Sequence, residues 1–204
     1  MNMKNILHLC ADLGSDSRYY QLSSDYNVIL VGKEIGVENY TPDCQIHGVI
    51  ANPVCTEFSR VGGFQLGKNP DLSMLVHCLR IIALAKPVWW VIENPANGTM
   101  KNYLGKPTMT YQPWEFGSPW TKKTALWGNF QKPVPIYKNW SDVEKNDKLY
   151  IRPNRKKPSL AYLHKSAIHD IPEFKFAIDV VKTDADFRSL CSQGFASEFY
   201  KRNP

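Results

Sequence analysis

The apolar positions of this chain come in short blocks, nearly unbroken. Residues 5–9 (NILHL), 28–31 (VILV), 48–51 (GVIA) and 88–92 (VWWVI) are four such blocks, and the last three stop at Gly32, at Asn52-Pro53 and at Glu93-Asn94-Pro95. Blocks of this length without polar alternation predict strands buried on both faces, as in a parallel sheet covered by helices. Between the third and fourth blocks the period changes. Leu72, Leu75, Val76, Leu79, Ile82 and Ala83 form one stripe at helical spacing. Asn69 is placed to cap this helix, Pro70 suits its first position, and Lys86-Pro87 ends it. A shorter helix over residues 18–22 follows the turn ADLGS, residues 11–15. Strand, helix, strand, helix predicts a doubly wound α/β sheet.

Beyond Gly98 the texture changes. Pro, Gly and aromatic residues crowd in and helical periodicity fades. Residues 111–114 and 124–127 are predicted strands, 131–172 are loop-rich with a basic run at Arg152, Arg155, Lys156 and Lys157, and 184–201 read as a closing helix that Gly194 weakens. With 204 residues, one domain with room for a small insertion is expected.

Composition adds a partner class. Lys and Arg exceed Asp and Glu, giving a formal charge of +6. That balance favours a polyanion, nucleic acid first, and 12% aromatic residues suit base stacking. The five Cys are odd in number and contain no Cys-x-x-Cys pair, and the five His do not cluster. A reduced, intracellular, cytoplasmic protein without bound metal is therefore expected. The apolar N-terminal stretch is too short and interrupted for a signal peptide or membrane span.

Ligands of open α/β sheets bind at the carboxyl ends of the strands. Gly14 with Ser15, Asn52 to Cys55, and Glu93 to Pro95 follow three predicted strands and should converge. Cys55 is a nucleophile once deprotonated, although a lone Cys is more often a small buried hydrophobe. Glu93 at the edge of a dry site is suited to hold and donate a proton, or it is a strand-ending side chain facing solvent.

Four segments carry a resemblance. GVIANPVCTEFSR is similar to the catalytic loop of the DNA (cytosine-5) methyltransferases, in the compact form of phage-type members. WVIENPANG resembles their Glu-Asn-Pro segment, YQPWEFGSPWTKKTALWGNF the segment carrying Lys and Thr before Leu-Trp-Gly, and QGFASEFYKRN their last helix. The segments occur in the family's order and span nearly the whole chain. The resemblance implies a Rossmann-like fold of the class I adenosylmethionine-dependent type with a short C-terminal insert. Residues 1–128 would form the catalytic domain, 129–183 a target-recognition insert and 184–204 a returning helix. It also implies S-adenosylmethionine as cofactor, DNA as substrate, Cys55 as nucleophile at carbon six of cytosine, and Glu93 at ring nitrogen three. The target base must be flipped out of a duplex or already single-stranded.

For the cofactor, LCADLGS resembles the family's Phe-x-Gly-x-Gly turn, with Gly14 at the second glycine and Asp12 in place of the first. The implied contacts are Leu9, Ala11, Gly14, Glu34, Ile35, Asn52 and Pro53, with Glu34 on the ribose hydroxyls. Val54 stands where the family has Pro before the Cys. Nucleic-acid contacts are assigned by position to Thr56, Ser59, Arg60, Lys122, Lys123 and Arg155. Two alternatives stay open: a substrate of RNA or free pyrimidine nucleotide, and a methyltransferase-like nucleic-acid-binding protein without turnover.

Overall fold

The computed structural model describes residues 3–11, 13–58 and 70–204. Its sheet has six strands: β1 (Lys4–Leu9), β2 (Tyr26–Val31), β3 (Gly48–Ala51), β4 (Trp89–Pro95), β5 (Met109–Tyr111) and β6 (Thr124–Asn129), in the order β2-β1-β3-β4-β6-β5. The first four pair in parallel, and β6 runs antiparallel to both β4 and β5. The apolar blocks of the sequence are these parallel strands. β4 runs further than expected: Glu93, Asn94 and Pro95 are strand residues, facing Leu126, Ala125 and Thr124 of β6.

Helices cover both faces. α1 (Arg18–Gln21) lies on one face with the C-terminal helix, while α2 (Ser73–Ala85) lies on the other. The α2 face differs from the predicted stripe. Leu75, Cys78, Ile81 and Ile82 are buried against Leu7, Val49, Ala51 and Ile92, whereas Val76 and Ala83 are exposed. The helix is turned so that Cys78 and Ile81 enter the core, a rotation that counting Cys as apolar would have shown. α2 starts at Ser73, after Pro70, with the Ser73 N–H donating to Asp71 Oδ1 at 2.8 Å. Asn69 lies outside the described residues. Lys86 closes the helix in the left-handed region at φ 44°.

A four-residue helix, α3 (Lys101–Leu104), precedes β5, and the predicted strand over 111–114 is instead the end of β5 followed by a 3-10 turn, Pro113–Phe116. Pro113 accounts for this, since it cannot donate to a ladder. The closing helix is two helices: α4 (Asp184–Ser189) and α5 (Gln193–Arg202). The break falls at Leu190–Ser192, where the Ser192 hydroxyl accepts from the Phe195 N–H, and not at Gly194. Gly194 allows close packing instead: a Cβ there would sit 1.9 Å from the Phe116 carbonyl oxygen.

A third apolar cluster gathers Leu149, Leu160, Leu163, Ile168, Ile171, Phe174 and Val181 with Trp120 and with Phe187 and Leu190 of the α4 region. Its chain is mostly 3-10 turns, among them Leu160–Tyr162, Lys165–Asp170 and Pro172–Ala177. The half-buried Glu173 fastens it to α5: its carboxylate accepts from Trp120 Nε1 at 3.2 Å and from the Gln193 backbone N–H at 2.8 Å.

Candidate active site

Strand alternation sets one polar layer. Ile6 of β1, Ile50 of β3 and Val91 of β4 point to the face that α1 and α5 cover. Two residues along each strand, the same face receives His8, Asn52 and Glu93. These three side chains therefore meet at the carboxyl end of the sheet, where the loop bearing Cys55 begins.

His8 is buried, with Nδ1 2.8 Å from Ser17 Oγ and Nε2 2.9 Å from Asn52 Oδ1. Burial lowers its pKa below the ordinary value, outweighing the nearby Asp16 carboxylate and the Asn52 contact, which raise it. The ring is neutral at physiological pH. Asn52 also donates from Nδ2 to Asp16 Oδ1 at 3.3 Å.

Glu93 is held above the usual carboxylate range, first by burial. Lys122 pulls it back down, Asp16 adds to the rise, and hydrogen bonds with Asn52 and Thr124 lower it. Cys55 opens the 3-10 turn Cys55–Glu57 and is exposed. The walls around its sulfur push the thiol pKa up, Glu93 adds to this, and Lys122 opposes it. Cys55, Glu93 and Lys122 thus form one electrostatic unit in which the thiol, not the thiolate, is the resting form. Lys122 is turned inward, its Nζ donating to the carbonyls of Ser189 at 3.4 Å and Leu190 at 3.3 Å.

The segment 93–99 clamps the Cys55 loop. The buried Asn94 donates from Nδ2 to the Pro53 carbonyl at 3.0 Å, and the Thr99 N–H donates to the Phe58 carbonyl at 2.8 Å. A Cβ on Gly98 would sit 2.5 Å from that Phe58 oxygen, so only glycine fits this approach. Val54 takes φ −49° and ψ 124°, close to the backbone that Pro would impose. The expected Pro is absent from the sequence, but its backbone shape is kept.

Other expected contacts are placed as follows. Leu9 and Ala11 lie at the end of β1, with the Ala11 N–H donating to the Val31 carbonyl at 3.2 Å. Gly14 takes φ +63°, and its carbonyl accepts from Gln21 Nε2 at 2.8 Å. Glu34 and Ile35 are exposed just past β2, the strand beside β1. Pro53 is buried and Asn52 half-buried. Thr56 is exposed beside Cys55, and Lys123 and Arg155 are exposed. Asp12, Ser59 and Arg60 lie outside the described residues.

The basic run is anchored next to the site: the Thr121 N–H donates to the Pro158 carbonyl at 3.0 Å and the Leu160 N–H to the Thr121 carbonyl at 3.1 Å. Arg152 lies 4.1 Å over the Tyr162 ring and Lys157 4.5 Å over Trp114. Among the described residues no group of three or more His, Cys, Asp or Glu is placed to hold a metal ion, and no helix is long and apolar enough to cross a membrane.

Three residues of the site went unnoticed in the sequence: Asp16, Thr124 and Asn52 as a partner of Glu93. Strand parity was available for Asn52, two positions beyond Ile50. Asp16 sits in a turn and gives no periodic signal.

No family model matches the chain. A protein of Frog virus 3 (isolate Goorha), described as a probable DNA (cytosine-5)-methyltransferase, is 27% identical over 134 residues, which cover 55% of this chain and 58% of that protein. A solved structure of an Entamoeba histolytica methyltransferase superposes with a TM-score of 0.56 at 11% identity, covering 99% of this chain and 98% of that one. The chain thus shares the Rossmann-like fold of that solved structure, and its sequence resembles the DNA (cytosine-5) methyltransferases.

Proposed function

We propose that this chain is a DNA (cytosine-5) methyltransferase that uses S-adenosylmethionine and works through a covalent Cys55 adduct. The observation that carries the reading is the grouping, at the carboxyl ends of β3 and β4, of an exposed thiol, a carboxyl that burial holds above the usual range and a lysine turned inward.

The turn after β1 fits the cofactor. Gln193 Nε2 donates to the Ser15 carbonyl at 3.2 Å and the Cys191 carbonyl at 3.1 Å, while its buried Oε1 has no protein partner among the described residues. That orphaned acceptor suits an ammonium donor. The exposed Glu34 carboxylate and Ile35 side chain suit a ribose diol and an adenine face. When bound, S-adenosylmethionine supplies the methyl group that carbon five receives.

Cys55, which is exposed, gives its proton to solvent, and the thiolate sulfur adds to carbon six of the flipped cytosine, forming a C–S bond. The electron pair of the C5–C6 double bond moves towards carbon five and ring nitrogen three. Glu93, carrying its proton, donates to nitrogen three and stabilises the charge that develops there. Lys122 favours the thiolate before attack. After methylation, carbon five gives its proton to a solvent base, the freed pair restores the C5–C6 double bond as the C–S bond breaks to return the thiolate, and the proton at nitrogen three goes back to Glu93.

The test is transfer of a labelled methyl group to a duplex pool, followed by nucleoside analysis. Label in 5-methylcytosine supports the reading. Label only with RNA or mononucleotide moves the substrate, and no transfer despite salt-sensitive DNA binding supports a binding protein.

A further inference from the structure

Asp16 is a second carboxylate in the site, and the chemistry above does not use it. It follows the Gly14–Ser15 turn and lines, with Glu93, a cleft whose other walls are Ile50, Val91, Leu126, Phe195 and Phe199. The cleft volume is about 10 Å³, room for about one water.

One amide connects them. The neutral His8 has a single N–H, and Asn52 presents its carbonyl oxygen to Nε2. Because Asn52 Nδ2 donates to Asp16 Oδ1, the amide carbonyl oxygen is left facing His8, where it accepts from Nε2–H. The NH₂ group of Asn52 is thereby held on the side of Asp16 and Glu93. Asp16 is further held by the Ser15 hydroxyl, which donates to Oδ2 at 3.2 Å.

The groups facing Glu93 give two negative charges one positive partner. His8 from β1 is neutral, Tyr111 from β5 and Cys191 before α5 are buried and held in their protonated forms, and Cys55 rests as a thiol. Lys122 is the cation of this group, and Thr124 offers a hydroxyl. Two carboxyl groups sharing a cleft beside one cation disfavour each other's ionisation. Asp16 is half-exposed and hydrogen-bonded by Ser15 and Asn52.

We propose that Asp16 is a positioning residue which, as a second carboxylate in the same cleft, fixes Glu93 as the hydrogen-bond donor towards an incoming base. The role for the base rests on the methyltransferase reading; the coupling of the two carboxyls does not.

The experiment is carbon-13 NMR of the full chain labelled at the Asp and Glu carboxyls, with Glu93 assigned by Glu93→Gln and Asp16 by Asp16→Asn. In the native protein each of the two resonances should show a second inflection at the midpoint of the other, the mark of coupled titration. In Asp16→Asn, which keeps the side chain's shape, the proton affinity of Glu93 should fall about tenfold or more. Absence of the second inflection, or an unmoved Glu93 midpoint, overturns the proposal, and the first readout needs no folded variant. With methyl transfer, the alkaline limb of kcat/KM should move to lower pH in Asp16→Asn, so that activity lost at neutral pH returns in acid. A structural role would lower the whole profile evenly. Coupled titration in a native protein that transfers no methyl group would sink the functional reading and leave the coupling standing.

Discussion

The carboxyl edge of the parallel strands and the segment that follows β6 use buried polar groups in opposite ways. At the strand edge His8, Asn52, Asp16, Glu93 and Lys122 are brought together at a cost: burial works against the charge of Glu93 and the thiolate of Cys55. Beyond β6, the half-buried Glu173 is a fastener, accepting from Trp120, Gln193 and Ser118. Both carboxyls are held above the usual range by burial. The difference is what surrounds them: Glu173 is saturated by donors that hold a loop-built core, whereas Glu93 faces an exposed thiol. Mutations should therefore separate the two regions, one losing activity and the other losing structure.

The largest effect is expected from Glu93→Gln. Methyl transfer should fall on the order of 10²- to 10⁴-fold, the range for a positioned acid, while the fold gains stability at alkaline pH. The sign follows from proton linkage. Between the ordinary Glu range and its raised folded value, the unfolded chain has released the proton that the folded chain keeps, so stability drops as pH rises through that window. Removing Glu93 should flatten this drop in thermal melts from pH 4 to 9; an unchanged slope would contradict the burial argument.

Glu173→Ala should do the reverse. It strands the Trp120 indole N–H and the Gln193 N–H, for a loss on the order of 1–3 kcal/mol per buried donor. Limited proteolysis should then cut first within residues 149–181, with the sheet intact. Cuts distributed evenly would erase the contrast between the regions.

Two smaller effects sharpen it. Gly98→Ala forces a Cβ against the Phe58 carbonyl and should cost about 1–3 kcal/mol, read in denaturant melts. Because Phe58 closes the Cys55 turn, kcat should fall as well. Val54→Pro should be almost silent. The backbone already suits Pro, and the gain of about 0.4–1 kcal/mol from a stiffer unfolded chain is offset by losing the N–H contact to Met74 Sδ. A large loss of activity in that variant would mean the loop shape at Cys55 is misjudged.

These regions also differ in how far the sequence reveals them. The parallel strands announce themselves as short unbroken apolar blocks, most fully in GVIA, buried throughout at the centre of the sheet, and less so in VILV, which forms the half-buried edge strand β2. Cys55 and Glu93 follow as residues at strand ends. The inward turn of Lys122 was hidden, because a lysine in TKKT reads as a phosphate contact until the Ser189 and Leu190 carbonyls are seen to hold it. Asp16 was hidden for a related reason: turn residues have no periodicity. The core around Trp120 and Phe174 was least legible, since 3-10 turns repeat too briefly to leave a stripe.

Trapping on DNA tests the central claim most directly. A duplex pool carrying 5-fluorocytosine is incubated with the native chain and S-adenosylmethionine, alongside Cys55→Ser. Fluorine at carbon five cannot leave as a proton does, so the adduct persists. The account predicts a covalent protein–DNA complex whose mass includes one methyl group and whose attachment maps to Cys55, absent from Cys55→Ser. A folded native chain that binds the pool yet forms no such complex, or an adduct that survives Cys55→Ser, would contradict it.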